Sequence, residues 1–355
     1  MEKLQVTLRR ERRLKLIAVS LIILSLIVII LAVPNMLISF VLAFVMNYLI
    51  SPVVDILERS RIPREYAILI PFFAAAGLII FGIVQVLPLV SDQLALLEKQ
   101  LPTYQVDFVN LIGRTETRFK TFFNLYNIHA SEDLNAWLMK KTAEFSAGIP
   151  AVVSASLTVS ILAPLFAFFM LQDGRQVIRS ILQIVPNDYF EMALNLQHRI
   201  NDQLGGFVRA RFIEAAIVGM VVWIGLAIMG FPYAALLGIF AAVTNLIPYI
   251  GPIIGAVPAV IIALISEQAR VVDPLSLNLF IVTSIYLLAQ LIDIIFIIPF
   301  LVARIVNLHP VTVIVVIIIG AEVMGILGMV ISIPVASVLK LTLSTFYDHL
   351  SKARH

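Results

Sequence analysis

Cysteine is absent from the sequence. That excludes a disulfide framework, a thiolate nucleophile and a cysteine metal site. Charge is scarce as well. Asp, Glu, Lys and Arg supply 13% of the residues, against about 25% in an ordinary soluble domain. With 61% of the residues hydrophobic, a water-soluble fold would leave much apolar surface in contact with water. The composition predicts an all-α polytopic membrane protein whose first partner is the lipid bilayer. The net charge of +3 is modest, and the arginines stand at the ends of apolar runs, as topology signals do. No nucleic-acid partner is expected from such a distribution.

Catalytic signatures are missing too. There is no H-E-x-x-H, no G-x-S-x-G and no P-loop; "GGFVRAR" at Gly205–Arg211 lacks the Lys-Ser/Thr that would grip a phosphate. The five histidines (His129, His198, His309, His349, His355) are scattered and none falls in the middle of an apolar run. An ATP-driven pump, a metal site and a cofactor are therefore not expected. An intramembrane enzyme would need two catalytic groups within reach of each other. Its candidate acids, Asp293 and Glu322, lie on different spans beside no Ser or His motif, so no enzyme is expected.

What is present is a succession of apolar runs. Eight spans are predicted: Leu16–Val33, Met36–Ile50, Tyr66–Val90, Gly148–Leu171, Phe212–Gly230, Ala234–Ser266, Leu277–Ala303 and Pro310–Ser332. The first follows a basic N-terminal stretch. It is longer than the roughly 7–15 apolar residues of a signal peptide and has no A-x-A site after it, so it is expected to remain uncleaved. With the N-terminus inside, Lys99, Arg114, Arg118, Lys120, Lys140, Lys141 and Arg304 fall outside. All other basic residues, Arg270 among them, fall inside. That bias predicts a membrane protein with both termini cytoplasmic. Four regions follow. Residues 1–90 hold three spans, and 91–147 form an extracytoplasmic amphipathic helical segment. Residues 148–211 hold the fourth span and a cytoplasmic helical region, and 212–355 form a C-terminal transport core.

The sixth span contains "NLIPYIGPIIGAVPA", from Asn245 to Ala259. Each interior proline removes a backbone donor and clashes with the carbonyl four residues back. Pro248 and Pro252 with Gly251 between them predict a break near Tyr249–Gly251. A kink and a re-entrant hairpin are both open to this sequence. Non-helical backbone at membrane depth persists where protein or a water-filled cavity satisfies it, and transporters place it at solute or ion sites. The predicted pathway therefore includes Asn245, Pro248, Tyr249, Gly251 and Pro252.

Two acids lie deep in apolar runs. Tyr286, Gln290 and Asp293 follow at i, i+4, i+7 and form one polar stripe on a helix. A charge at the bilayer centre costs about 2.5–3.5 kcal/mol on insertion scales, so such a residue faces the protein interior. A structural hydrogen bond between helices is the alternative reading of Asp293. Glu322 is followed by Gly325, Gly328 and Ser332, which predict a small-residue face beside its carboxyl group. Glu214, near Arg209 and Arg211 at the start of its span, reads as an interfacial ion pair.

"GIFAAVTNLIPYIGPIIGAVPAVIIAL" (Gly238–Leu264), "DIIFIIPFLVARIVNLHPVTVIVVIIIG" (Asp293–Gly320) and "GILGMVISIPVASVLK" (Gly325–Lys340) resemble the autoinducer-2 exporter family, the PerM-like permeases. Pro248, Tyr249, Gly251 and Pro252 match its I-P-Y-x-G-P core. Asp293 and Pro299 match the acid and proline of its seventh span, His309 and Pro310 its L-h-P turn, and Gly325, Gly328 and Pro334 its last glycine-proline segment. Glu322 departs from the pattern, which more often has a small or apolar residue there, and Arg304 is also not typical. The resemblance implies a secondary transporter or exporter, in the bacterial inner membrane, of a small polar solute or a monovalent cation, coupled to protons or sodium. An uncoupled channel-like permease and a non-transporting membrane scaffold are the alternative readings. Some members are associated with autoinducer-2 export, others with sodium/proton antiport. Gln290 and Asp293 would belong to the pathway, with Tyr286, Glu322 and Arg304 as accessory residues. A homo-oligomer is left open.

Overall fold

The structure, a computed structural model of the chain, describes residues 35–118, 158–265, 275–302 and 308–352, together with Ser25, Val28, Ala32, Val33 and Lys140. Among the described residues every regular element is helical, as the composition predicts. In lipid a helix satisfies its own backbone within one segment. The helices are α1 (Met36–Arg59), α2 (Arg64–Arg118), α3 (158–182), α4 (Asn187–Ile228), α5 (Ala234–Asn245), α6 (Gly251–Ile265), α7 (Leu275–Ile292) and α8 (Pro310–Lys352). The turns after α7 widen to a π-helix over Asp293–Val302. Pro299, which has no N–H to donate and clashes with the carbonyl four residues earlier, lies inside that stretch.

Among the described residues, five stretches are long and apolar enough to cross a membrane: Met36–Arg59, Arg64–Gln93, Tyr189–Ile228, Leu277–Ile297 and Pro310–Asp348. They correspond to the predicted second, third, fifth, seventh and eighth spans. Most of the predicted first span and the beginning of the fourth lie outside the described residues, and α3 continues the fourth. The expected outer segment begins as an uninterrupted extension of α2, whose 55 residues reach about 80 Å at 1.5 Å per residue.

Packing divides the chain into two compact units. One comprises Met1–Ala76, Pro150–Gly205 and Lys340–His355, the other Gly77–Ile149 and Gly206–Leu339. In the first, Arg64 donates to the carbonyl of Leu171 at 2.6 Å and to Glu58 at 3.1 Å. Arg175 bridges Asp55 and Glu58, each at 2.7 Å. These contacts close the helix ends over a small core of Ile50, Val54, Ala67, Ile68 and Leu171.

The second unit is built on two helical hairpins, neither of which is a simple span. The predicted sixth span is two helices of 12 and 15 residues, about 18 and 22 Å long. Each is shorter than the roughly 30 Å of a hydrocarbon core. They lie side by side. A Cβ on Gly255 would stand 2.7 Å from Thr244 Oγ1 and 3.3 Å from the Cα of Ala241, a contact that a straight or kinked helix could not make. Of the two open readings, the structure takes the hairpin. The break occupies Leu246–Ile250, slightly before the predicted position, because Gly251 and Pro252 open α6 instead of interrupting a helix. Proline is tolerated in a first turn, where the N–H it lacks has no intrahelical acceptor.

The predicted eighth span also folds back. Gly325 has φ 61 and ψ −140 inside α8, a conformation open to glycine because it has no Cβ. A Cβ on Gly320 would lie 3.0 Å from the Cβ of Ser332 and would overlap the carbonyl of Gly328. The expected small-residue face running Gly325, Gly328, Ser332 beside Glu322 is thus not one helix face. Gly325 is the turn, and Gly328 meets Gly320 across it.

The first hairpin packs against α4 and α7 through small residues. Gly219 of α4 faces Ala242 and Gly238, Gly238 faces Trp223, and Gly225 faces Ile285. Such contacts let helix backbones approach where lipid supplies no hydrophobic drive. Val222, Leu226, Ala259, Ala263 and Val282 are buried between these helices. The C-terminal half of α2 ties down the start of α5. Gln93 accepts from the Leu236 N–H at 3.1 Å, capping the helix, and Gln100 accepts from the hydroxyls of Tyr104 and Tyr233, each at 2.6 Å.

Candidate functional site

Asp293 is 3% exposed, Asn245 2% and Glu214 1%. The three come from three helices. Glu214 lies on α4, four residues after Ala210 and inside the apolar run. Asn245 is the last residue of α5, immediately before the break. Asp293 is the first residue of the π-helical turns. Asp293, Asn245 and Arg211 all face Glu214, and Gln290, Arg211 and Glu214 face Asp293. The turn of the first hairpin therefore ends in a buried group of two acids, one guanidinium and two amides.

The pairing inside this group is incomplete. Arg211 Nη1 donates to Glu214 Oε1, and its guanidinium also lies over the Phe207 ring, 5.7 Å from the centroid. Gln290 Nε2 donates to Asp293 Oδ2 across a long 3.4 Å. Buried and without a hydrogen-bond partner are Arg211 Nε, Glu214 Oε2, Asn245 Nδ2 and Asp293 Oδ1. Such orphan atoms are costly: an unpaired buried polar group costs about 1–3 kcal/mol, more if charged. Four of them in one place mark a group arranged for something other than packing.

Around the turn, Tyr249 adopts a left-handed φ of 64, unusual for a residue with a Cβ and a form of backbone strain that clusters at functional sites. Its side chain is more than half exposed. Tyr249, Pro252 and Gly255 from the hairpin, with Thr283, Tyr286 and Gln290 from α7, line an open groove of about 610 Å³. Tyr286 Oη is buried and unpartnered. The predicted stripe Tyr286–Gln290–Asp293 is thus split in use. Its first two members face the groove, and Gln290 links the groove to the acid. Gly251 is needed for the turn itself, since a Cβ there would overlap the Thr244 carbonyl. Thr244 in turn uses its hydroxyl on the Phe240 and Ala241 carbonyls.

The structure brings together Asn245, Pro248, Tyr249, Gly251, Pro252, Tyr286, Gln290 and Asp293. It leaves Glu322 apart: that residue is exposed beside the turn of the second hairpin and is not among the groups facing Asp293. Arg304 lies outside the described residues. Glu214 does pair with Arg211 as expected, but in the buried interior and beside a second acid. The signal available was its position inside an apolar run. Its closeness to Arg209 and Arg211 at the start of the span points instead to an interface. Among the described residues no group of three or more His, Cys, Asp or Glu could hold a metal ion.

Residues 16–348 match the sequence model of the family described as AI-2E family transporter. YueF of Bacillus subtilis, named for a transport role, is 31% identical over 307 residues, covering 84% of this chain and 81% of its own length. YrrI of the same organism, named likewise, is 26% identical over 324 residues, 89% and 88% of the two chains. PerM of Escherichia coli, named as a permease, is 24% identical over 310 residues, 86% of each.

Proposed function

The chain belongs to the AI-2E transporter family, and on that premise we propose that it is a secondary transporter that moves a small polar solute, of the autoinducer-2 kind, or an ion across the bacterial inner membrane with the help of a proton or sodium gradient. One observation carries the reading: a hairpin turn too short to cross the bilayer ends against buried acids with orphaned hydrogen-bonding atoms. Membrane-embedded acids of this kind mark ion pathways. Helix ends exposed by a break supply further ligands. Tyr249, Tyr286 and Gln290 line the approach to the acids, and Asp293 takes the coupling ion.

The hairpins support one topology for this reading. A hairpin returns the chain to the side it left. With the N-terminus inside, the first hairpin enters from outside and α7 crosses inward. The second hairpin then enters from inside and leaves the C-terminus there. Arg270 is placed outside and Arg304 inside, a swap that preserves the positive-inside balance. Reporters active only outside the cytoplasm should be active when fused at Asn127 or Arg270 and silent at Asn195 or His355. Activity at Asn195 would reverse the orientation.

Transport is tested with purified protein in liposomes, using autoinducer-2 and radiolabelled sodium as probes, with and without a pH gradient. Gradient-dependent flux supports coupled transport. Flux indifferent to any ion gradient favours an uncoupled channel, and no flux of either probe beyond empty liposomes removes both from the list of solutes.

A further inference from the structure

We propose that Glu214 and Asp293 hold one exchangeable proton between them, with Arg211 as their fixed counter-charge, and that this shared carboxyl pair is the ion-coupling site. The inference rests on the transport reading above and narrows its coupling ion from proton or sodium to proton.

Charge balance is the first argument. The groups that face the two carboxyls are Arg211 from α4, Asn245 from α5 and Gln290 from α7. On the side of α8, Val313, Ile317 and Ile333 pack with Ile247 and Phe207. One guanidinium against two carboxylates leaves one unbalanced negative charge, on acids no more than 3% exposed. A net charge at that depth is expensive. One added proton makes the group neutral.

The donor set is the second argument. A sodium ion needs several oxygen ligands in place of its water. On the two carboxyls the unpartnered oxygens are Glu214 Oε2 and Asp293 Oδ1, and the orphan atoms of the Arg211 and Asn245 side chains that face them, Arg211 Nε and Asn245 Nδ2, are N–H donors that repel a metal cation. Two acceptors and two donors suit a proton cycle. In the loaded state the proton forms an O–H bond on one carboxyl and is donated to the other. In the discharged state that O–H bond breaks and the proton passes to water. The oxygens left behind accept from Arg211 Nε–H and Asn245 Nδ2–H, whose hydrogen bonds are otherwise unmade. Each of these four atoms is then used in one of the two states. The same turn carries Asn245 and, four residues on, Tyr249 at the groove, so a change in the hydrogen bonding of Asn245 is transmitted to the solute path.

The test is infrared spectroscopy of the full-length protein in lipid nanodiscs, following the C=O stretch of a protonated carboxylic acid through a pH titration. The wild type should show this band at neutral pH, lose it in one step on alkalinisation, and shift it in deuterium oxide. Because one proton is shared, Glu214→Gln and Asp293→Asn should each abolish the whole band. Two independent acids would leave it in at least one single variant, and that result overturns the proposal. Sodium added at constant pH should leave the wild-type band in place; its loss would make the site one for a metal cation. Absence of the band at every pH where the protein is folded also overturns the proposal. Should a variant fail to fold, the wild-type band itself decides: an area corresponding to one carboxylic acid per protein supports the shared proton, and an area corresponding to two overturns it. Flux measured on the same purified protein reconstituted into liposomes separates the two readings. Transport without the band sinks the proton site alone, and the band without transport sinks the transporter reading alone.

Discussion

Both hairpins of the second unit turn where glycine lets two stretches of backbone touch: Gly251 against Thr244 and Asn245 in the first, Gly320 against Gly328 in the second. They differ in what stands at the turn. The first ends in Asn245 and reaches two buried acids and a guanidinium. The second turns at Gly325, with nothing within 4 Å of a Cβ placed there, and its acid, Glu322, is exposed. The steric solution is shared and the chemistry is not. A re-entrant shape alone therefore does not identify a site. The buried, half-paired polar atoms do.

The largest effect expected is steric and should strike both hairpins alike. A Cβ at Gly251 or Gly328 overlaps a backbone carbonyl, which cannot rotate away as a side chain would. Gly251→Ala and Gly328→Ala should each cost at least the roughly 1–3 kcal/mol of ordinary overpacking, seen as a lower melting temperature and faster proteolysis in detergent. Gly82→Ala in α2 is the control, because nothing lies within 4 Å of its Cβ and alanine is favoured in a helix by about 1 kcal/mol. Equal stability of Gly251→Ala and Gly82→Ala would mean that the first hairpin is not the close-packed turn described.

The next effect should separate the hairpins. Asp293→Asn keeps shape and hydrogen-bonding capacity but removes the titratable proton. Glu322→Gln does the same at the other turn. The first should lower ion-driven flux at least about tenfold, equivalent to about 1.4 kcal/mol, with insertion and melting temperature unchanged. The second should leave flux within about twofold of wild type, under about 0.5 kcal/mol by the same conversion. Wild-type flux with an unchanged pH profile in Asp293→Asn would reduce that residue to interhelical hydrogen bonding.

How much of this was legible in the sequence follows a physical line. Apolar length is a local property, so most spans could be placed from composition. The break at Asn245–Pro252 was visible because proline and glycine act on their own backbone. Asp293 stood out because a lone acid in an apolar run needs a partner. Its partner could not be read. Spacing along one helix shows which residues share a face, and says nothing of which face of another helix meets it; that is why Glu214 and Arg211 were read at an interface instead of against Asp293. Gly325 failed for a related reason. The same G-x-x-G can be a packing face or a turn, and the difference is a φ angle that no residue count contains.

The smallest expected effect tests that ambiguity at Pro252. In the sequence it is indistinguishable from a helix-breaking proline, and as a breaker its replacement by alanine should be worth about 3 kcal/mol in favour of continuous helix. In the structure it is the second residue of α6, in a first turn where its missing N–H has no partner to lose. The turn is held instead by Gly251 N–H to the Ile247 carbonyl at 2.9 Å and by Ile247 N–H to the Thr244 carbonyl at 2.9 Å. Neither bond involves Pro252. Pro252→Ala should therefore keep the hairpin, lose no more than about 1 kcal/mol through the greater freedom of the unfolded chain, and transport as the wild type does. The cysteine-free chain allows a direct readout: Tyr249→Cys, at an exposed position on the groove, should react with a water-soluble thiol reagent at the same rate with proline or alanine at 252. A marked fall in that rate in the alanine background would show helix propagating through the turn. It would assign the break to its prolines and not to the glycine contact.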